Sequence, residues 1–471
     1  MTTTAALTQL FAAQKEAFHA APFPAAQKRI ENLEKLRLAL LEHQENLIQA
    51  IQQDFGRRSA DETRLAELLP SVEGIRYAQK RVKRWMRPSK RKVGAAFQPA
   101  SARVVYQPLG VVGVIVPWNY PLYLAIGPLV AALSAGNRVL IKMSEYTPAT
   151  ATAVQTLISQ CFAPTDVAVV TGDSDVGIAF SELPFDHLLF TGGTSIGRHV
   201  MQAAAKNLTP VTLELGGKSP AILGNPRHCD LEAAAERIAF GKALNAGQTC
   251  VAPDYILCPE TQVDALVDAL KSAFSRMYPS FRDNPDYSWI INDKQFKRLH
   301  NVLQDAITRG ADVHSINPKN ETFESTRLIP PTIVNKVTTD MDIMQAEIFG
   351  PLLPIVPYQT FDQALAHVRR GERPLALYYF GEDSDERRQI LEQTHSGGVC
   401  FNEAVFHVAQ DDLPFGGVGA SGMGHYHAHE GFLTFSQARA VLTKGRLNSA
   451  KFIYPPYGGK ILQFIYKLFI R

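Results

Sequence analysis

From residue 104 onward the chain alternates between two spacings of apolar residues. Short β-branched runs at 111–116, 138–142, 167–170, 187–191 and 211–215 read as buried strands. Between them, 121–135, 148–162 and 195–206 carry the spacing of helices. The gaps are long enough for crossovers between parallel strands, where an antiparallel meander needs only tight turns. The pattern confines the fold to an α/β class built on parallel sheet. It resumes with a helix at 231–245 closed by Gly247, a strand at 255–258 and a helix at 262–277. Strands at 329–334, 352–356, 375–380 and 397–401 follow. A second parallel-sheet α/β domain is expected to start near 216. Ahead of both, Ile30, Leu33, Leu36, Leu40 and Leu41 mark helix within 5–55.

A chain of 471 residues buries about 75% of the surface its unfolded form exposes, and needs no disulfide or metal staple. Lys plus Arg number 48 against 45 Asp plus Glu, a formal charge of +3. This balance leaves no global footprint for nucleic acid. The basic stretch at 80–92 is read as a solvated helix face running into a loop. The five cysteines, Cys161, Cys229, Cys250, Cys258 and Cys400, form no C-x-x-C pair. Neither a disulfide framework nor a zinc site of recognised spacing is expected, and a reducing, cytoplasmic setting fits. The N-terminus does not read as a basic, apolar leader, and the longest apolar stretch, 121–136, is too short to span a bilayer.

Four local features carry chemistry. In Phe190-Thr191-Gly192-Gly193-Thr194-Ser195-Ile196-Gly197-Arg198, glycines sit between strand and helix, where backbone N–H groups can meet a phosphate. Thr194 stands where the G-x-G-x-x-G fingerprint has its second glycine, so a plain turn explains the segment as well. Pro117-Trp118-Asn119-Tyr120-Pro121 follows a strand, at the edge of an open sheet where ligands sit. Asn119 is either an oxyanion donor or an ordinary turn residue. Glu214, inside Val211-Thr212-Leu213-Glu214-Leu215, is costly in an apolar strand. It is either paired with a lysine or poised as a general base. Gly247-Gln248-Thr249-Cys250 sets a thiol beyond a helix C-terminus, whose dipole would not activate it. Cys250 is either an inert thiol or a nucleophile activated by other groups.

These features stand in one order with Lys142-Met143-Ser144-Glu145, Glu347-Ile348-Phe349-Gly350-Pro351 and Leu413-Pro414-Phe415-Gly416-Gly417 followed by Ser421-Gly422. The set resembles the aldehyde dehydrogenase superfamily over nearly the whole chain. The segment from Ser396 to His407 resembles its class 3 branch, and Gln410-Asp411-Asp412-Leu413-Pro414 its coniferyl aldehyde dehydrogenases.

The resemblance implies oxidation of an aldehyde to a carboxylate with NAD, NADP also being possible. Cys250 would attack the aldehyde carbon, Asn119 and the Cys250 N–H would hold the oxyanion, and Glu214 would deprotonate the water that hydrolyses the thioester. Cofactor contacts fall on Trp118, Lys142, Glu145, Gly192, Gly193, Thr194, Ser195, Ile196, Gly197, Glu347 and Phe349. A carboxylate at Glu145 suits the ribose hydroxyls of NAD, and Met143 departs from the commoner proline. Tyr123, Phe401 and His407 fall in segments that line the substrate entrance. An aromatic aldehyde such as coniferyl aldehyde leads, with a medium- or long-chain aliphatic aldehyde as the alternative. A coenzyme A-acylating enzyme or a catalytically idle relative fits less well beside Cys250, Asn119 and Glu214.

The resemblance also implies a cofactor domain over 1–98 and 108–215 and a catalytic domain over 216–415. Strands at 99–107 and 432–443 would form a small β oligomerisation element meeting a second copy in a homodimer. In the tail, 444–471, one helical face holds Ile461, Leu462, Ile465, Leu468 and Phe469, with Lys460, Lys467 and Arg471 beside it. It is expected to pack on the fold rather than dip into a membrane surface. Cys258 and Cys400 are expected to be buried structural thiols, with Cys161 at a helix end and Cys229 in a polar loop. His425, His427 and His429 are expected to be solvated rather than metal-binding.

Overall fold

A computed structural model describes residues 2–94 and 97–470. The first stretch of alternation folds into a six-stranded sheet. Its spatial order is Gly422–Met423, Val211–Leu215, His187–Gly192, Val111–Ile115, Arg138–Lys142 and Val167–Val170. The last five strands are parallel, and Gly422–Met423 lies antiparallel at the edge. The chain winds outward from Val111–Ile115 through two strands, then returns to lay His187–Gly192 on the other side. That reversal opens a crevice at the C-terminal strand ends, the usual ligand position of such sheets. The Trp118–Asn119 loop and the Gly192–Gly193 turn leave the two strands that flank the reversal.

Helix Tyr123–Ala135 is apolar on nearly every side because it is buried beneath the N-terminal helices Ala26–Glu42 and Leu69–Trp85. A single π turn, Arg64–Leu68, precedes the latter.

The second sheet has seven strands in the order Asp312–Ser315, Thr332–Asn335, Leu352–Tyr358, Tyr255–Pro259, Pro220–Leu223, Ala376–Phe380 and Gly398–Phe401. All pairings but the first are parallel. Sequence periodicity misses two of these strands. Pro220–Leu223 is short and opens on proline, and Asp312–Ser315 is a polar, solvent-facing edge without apolar alternation.

A third sheet joins Ser89–Arg91, Ala100–Pro108 and Ser436–Lys444, all antiparallel. The expected strand at 432–443 is shifted: helix Ala428–Thr434 takes its start. Phe432 buries its ring against Trp85 and Tyr106 there, and the Ser436 hydroxyl donates to the Phe432 carbonyl.

The tail forms helix Lys460–Phe469, in which Leu462 is buried and Ile465 half-buried. Its apolar residues cover more than one side, and Phe464 and Phe469 are each 65% exposed. Arg471 lies outside the described residues. Among them, no helix is long and apolar enough to cross a membrane.

Candidate active site

Helix Leu231–Ala243 ends in a sharp turn. Asn245 and Ala246 both have φ 51° and Gly247 has φ 73°. A Cβ on Gly247 would lie 2.3 Å from the Gly350 carbonyl, so only glycine fits. Gln248 then stitches the turn down. Its amide donates to the carbonyls of Asn245 (2.9 Å) and Trp289 (3.0 Å), and its side-chain oxygen accepts from the Ile291 N–H (3.0 Å). The Asn119 side-chain amide donates to the Gln248 carbonyl at 3.2 Å. The Asn245 amide donates to the carbonyls of Asn119 (3.0 Å) and Gln248 (3.3 Å). The Tyr120 and Thr249 hydroxyls meet at 2.8 Å. The Asn119 loop and the Cys250 loop are thereby laced into one unit.

Arg58, fully buried, donates to the Asn119 carbonyl at 2.9 Å. It lies 2.9 Å from Glu67 and 3.3 Å from Glu62, with the Tyr120 ring 4.7 Å away. Glu67 accepts the N–H groups of Leu122 (2.7 Å) and Tyr123 (3.1 Å). This network anchors the strand-to-helix loop that carries Asn119. Sequence reading misses it, because Arg58, Glu67 and Asn119 lie far apart in the chain.

Cys250 is half-buried. Burial, then the nearby Glu347 and Glu214, push its thiol up to about 12, against the pull of the Cys250 and Val251 N–H groups. The resting form at neutral pH is the thiol. Glu214 is only 2% exposed, and both carboxylate oxygens lack a hydrogen-bond partner. Burial raises it well above the usual carboxylate range. The lysine-paired alternative for Glu214 fails: Lys218 bonds Asp254 and the Ile343 carbonyl instead. Glu347 is pushed up to about 8 by burial and by Asp254, with the Gly217 N–H pulling it back. It tucks over Gly216, where a Cβ would come within 2.1 Å of its carboxylate.

Thr194, Gly216, Gly217, Glu347 and Ala420 line a cleft of about 580 Å³, within the range of roughly 300–1,000 Å³ that small-molecule sites occupy. Helix Thr194–Ala205 opens beside it, with Gly193 as an N-cap that offers no side chain, so its first N–H groups remain available to an anion. Gly197 has a packing role: a Cβ would lie 2.7 Å from the Leu215 side chain. Ser195 and Ile196 face solvent. The buried Lys142 ammonium donates to the Met143 carbonyl (2.9 Å) and lies 3.7 Å from Glu145, keeping donor capacity to spare. The Trp118 and Phe349 rings meet edge to face, 5.2 Å apart. These donors and rings fit an NAD(P) dinucleotide, with Lys142 and Glu145 suited to ribose hydroxyls and the helix N-terminus to pyrophosphate. Among the described residues, no cluster of His, Cys, Asp or Glu could hold a metal ion.

On the other side of the thiol, Tyr426 is buried with its hydroxyl unpartnered. Burial, then Tyr123, Glu214 and Cys250, raise its pKa, which places these four groups together. The Tyr123 hydroxyl lies 3.3 Å from His427 Nε2, and the His427 ring stacks on Phe415 at 5.1 Å. His407 lies against Tyr378 at 5.8 Å with both ring nitrogens buried and unpartnered. Burial holds both imidazoles neutral, near 4. Tyr123 thus stands by Tyr426 and His427, and His407 by Tyr378.

Phe401 turns away from them. Its ring packs on Tyr379 and under Arg387, across the strand from Cys250. Side chains alternate faces along Gly398–Phe401, so Cys400 turns toward the thiol side, half-buried rather than fully buried. His427, expected to be solvated, is buried, whereas His425 is exposed.

The model of the aldehyde dehydrogenase family matches residues 1–441. A probable coniferyl aldehyde dehydrogenase of Pseudomonas aeruginosa is 58% identical over 465 residues, 99% of this chain and 96% of that protein. A coniferyl aldehyde dehydrogenase of another Pseudomonas strain is 47% identical, covering 92% of this chain and 90% of its own. The substrate-bound structure of Staphylococcus aureus AldH superposes with a TM-score of 0.93 at 37% identity, covering 99% of both chains. An aldehyde dehydrogenase of Mycobacterium tuberculosis complexed with NAD+ gives 0.86 at 29% identity, covering 95% of this chain and 92% of its own. These matches over nearly its whole length show that this chain belongs to the aldehyde dehydrogenase family and is an NAD(P)-dependent aldehyde oxidoreductase.

Proposed function

We propose that the enzyme oxidises aromatic aldehydes of the coniferyl aldehyde type to carboxylates, with Cys250, Asn119 and Glu214 performing the chemistry. The observation that carries the assignment is the bare, buried Glu214 carboxylate beside the Cys250 thiol. Such a group is expensive to keep and is found where a proton must move. The names of the two Pseudomonas relatives support the substrate class. So do Tyr123, Phe415, Tyr426 and His427, whose flat rings suit an aromatic aldehyde better than a flexible chain.

The half-buried Cys250 thiol gives up its proton to solvent, and sulfur bonds to the aldehyde carbon. The Asn119 amide and the Cys250 N–H take the oxyanion. NAD(P), when held by Lys142, Glu145 and the Thr194–Ala205 helix N-terminus, would supply the hydride acceptor this adduct needs to become a thioester. Glu214 then takes a proton from the water that attacks the thioester carbon, the acid departs, and Cys250 recovers its proton. Glu145 favours NAD, whose ribose carries a hydroxyl where NADP carries an anion. The five parallel strands of the six-stranded sheet form the cofactor domain over 1–98 and 108–215, and the seven-stranded sheet the catalytic domain over 216–415. The free edge of Ser436–Lys444 meets its counterpart in a homodimer, and a reducing cytoplasm keeps the thiol competent.

NADH formation with coniferyl aldehyde, benzaldehyde and decanal tests the reading. Coniferyl aldehyde should exceed decanal in kcat/KM by at least about 10-fold. A preference for decanal would install the aliphatic alternative. Cys250→Ala should abolish oxidation while cofactor binding, followed by fluorescence quenching, persists. Residual turnover would displace Cys250 as the nucleophile.

A further inference from the structure

Positive and negative residues balance over the whole chain but not along it. Segments 74–108 and 431–471 together hold 17 of the 48 Lys and Arg and none of the 45 Asp and Glu. The fold brings the two segments together. Strand Ala100–Pro108 lies between Ser89–Arg91 and Ser436–Lys444, with Arg91 paired to Ala102 and Lys444 to Ala100. Arg91, Lys92 and Lys444 therefore gather at one end of the small sheet, and the tail leaves from that end. Lys83, Arg84, Arg87, Lys90, Arg91 and Lys92 are exposed and, among the described residues, make no ion pair. Glu73, Asp411 and Asp412 meet the preceding helix earlier, at Arg76, Tyr77 and Arg81. The tail adds an apolar component. In helix Lys460–Phe469, Ile461, Phe464 and Leu468 follow the spacing of a single stripe. That stripe turns away from the buried Leu462 and is exposed along its length, with Lys460 and Lys467 on its border. Tyr454, Tyr457 and Tyr466 are exposed in the same tail. Clustered cations repel one another, and an apolar stripe open to water marks a contact surface.

We propose that this end of the molecule docks on an anionic membrane surface. Acidic headgroups meet Arg91, Lys92, Lys444 and Arg446 where the tail leaves the sheet. Helix Lys460–Phe469 lies in the plane of the interface, with Ile461, Phe464 and Leu468 turned into the acyl boundary. Lys460 and Lys467 lay their methylene stems along that boundary and keep their ammonium groups among the phosphates. The tail tyrosines set apolar rings below and hydroxyls above the same level. A helix of this length rests on a bilayer and does not cross it. The alternatives match half of the surface each. Nucleic acid offers phosphate but no apolar layer for the stripe. A second copy offers an apolar stripe but brings the same cations to the contact. Only an acidic lipid surface supplies both.

The test is co-sedimentation of the full-length enzyme with vesicles, phosphatidylcholine alone against phosphatidylcholine and phosphatidylglycerol in equal parts. The ratio of bound to free enzyme should be at least about 10-fold higher on the mixed vesicles, since each cation near an anionic surface adds to the attraction. It should fall as salt is raised. Phe464→Ser combined with Leu468→Ser should lower it by at least about 10-fold. Arg91→Glu combined with Lys92→Glu should lower it by a similar factor, about 10-fold. These side chains are exposed and far from the chemistry in sequence, so unchanged aldehyde turnover reports that each variant is folded. Equal binding to the two vesicle types, or binding that survives both double variants, would overturn the proposal. Retardation of duplex DNA without vesicle binding, kept by the serine variant, would assign the cations to nucleic acid instead. A smaller oligomer in the serine variant, seen by sedimentation velocity without vesicles, would assign the stripe to a second copy. Either result would also overturn the proposal, and neither touches the oxidation chemistry.

Discussion

Glu214 and Glu67 are both buried glutamates of the active-site region, and the fold treats them in opposite ways. Glu67 lies 2.9 Å from Arg58 and accepts two backbone N–H groups from the loop behind Asn119. Glu214, in a central strand, has nothing within bonding distance of either oxygen. The first has the partners that make a buried charge tolerable, and it fixes geometry. The second carries an uncompensated desolvation cost, which marks it as a group kept for proton transfer. Burial alone does not distinguish a positioning carboxylate from a reactive one; partners do.

The largest expected effect comes from removing the bare carboxylate. Glu214→Gln should lower steady-state turnover by about 10²–10⁴-fold, the usual worth of a general base. A first burst of NADH, equal to the number of active sites, should survive in stopped-flow traces. Loss of the burst would move Glu214 ahead of the thioester and break the assignment to hydrolysis. Glu67→Gln should behave in the reverse sense. It leaves Arg58 with Glu62, 3.3 Å away, as its one remaining counter-charge, at a cost in denaturant unfolding that should fall below the about 3–5 kcal/mol of a fully stranded buried charge. Arg58→Met combined with Glu62→Gln and Glu67→Leu, which strands no charge, should recover most of that loss. Failure to recover would mean that the pair matters through its hydrogen bonds to Asn119, Leu122 and Tyr123 rather than through charge.

The two glutamates also show what a sequence can and cannot reveal. Glu214 was conspicuous because a charge interrupts an apolar strand, a local signal. Glu67 and Arg58 gave none, since an acidic residue on an N-terminal helical turn and a basic one in the loop before it look like ordinary surface until Asn119 is folded onto them. The parallel sheets were legible for the same local reason, as period changes recur along the chain. The strand at 220–223 was too short to show its period. Phe401 and Cys400 illustrate a finer limit: the segment was placed correctly, but a period of two sends neighbours to opposite faces, and only the register tells which one meets Cys250. His427 was hidden by its company, two other histidines on alternate positions, of which His425 is exposed.

A pH series sharpens the comparison further. The folded-state pKa of Glu214 lies well above its ordinary 4.5 because of burial. A carboxyl shifted in that direction contributes stability that is fully present below the unfolded value and is lost as pH rises through the folded one. Wild-type enzyme should therefore lose thermal stability relative to Glu214→Gln as pH climbs above about 4.5, and the gap should stop widening once Glu214 is ionised. A gap that stays constant with pH would reveal a partner for Glu214 that keeps its pKa ordinary, and the contrast with Glu67 would collapse.

The smallest expected effect tests whether burial or charge is the deciding variable. Arg64 lies six positions beyond Arg58 and makes ion pairs of similar length, 3.0 Å to Glu45 and 3.1 Å to Asp61. Its side chain is 43% exposed, whereas that of Arg58 is 0% exposed. Water already solvates the Arg64 guanidinium and its partners, so breaking these pairs leaves no charge stranded. Arg64→Ala should leave the thermal midpoint and the kinetics where they are, at low and at high salt. If it proved as damaging as losing Glu67, ion-pair distance would outrank solvent exclusion here, and the cost assigned to the bare Glu214 carboxylate would lose its physical basis, since that cost is desolvation alone.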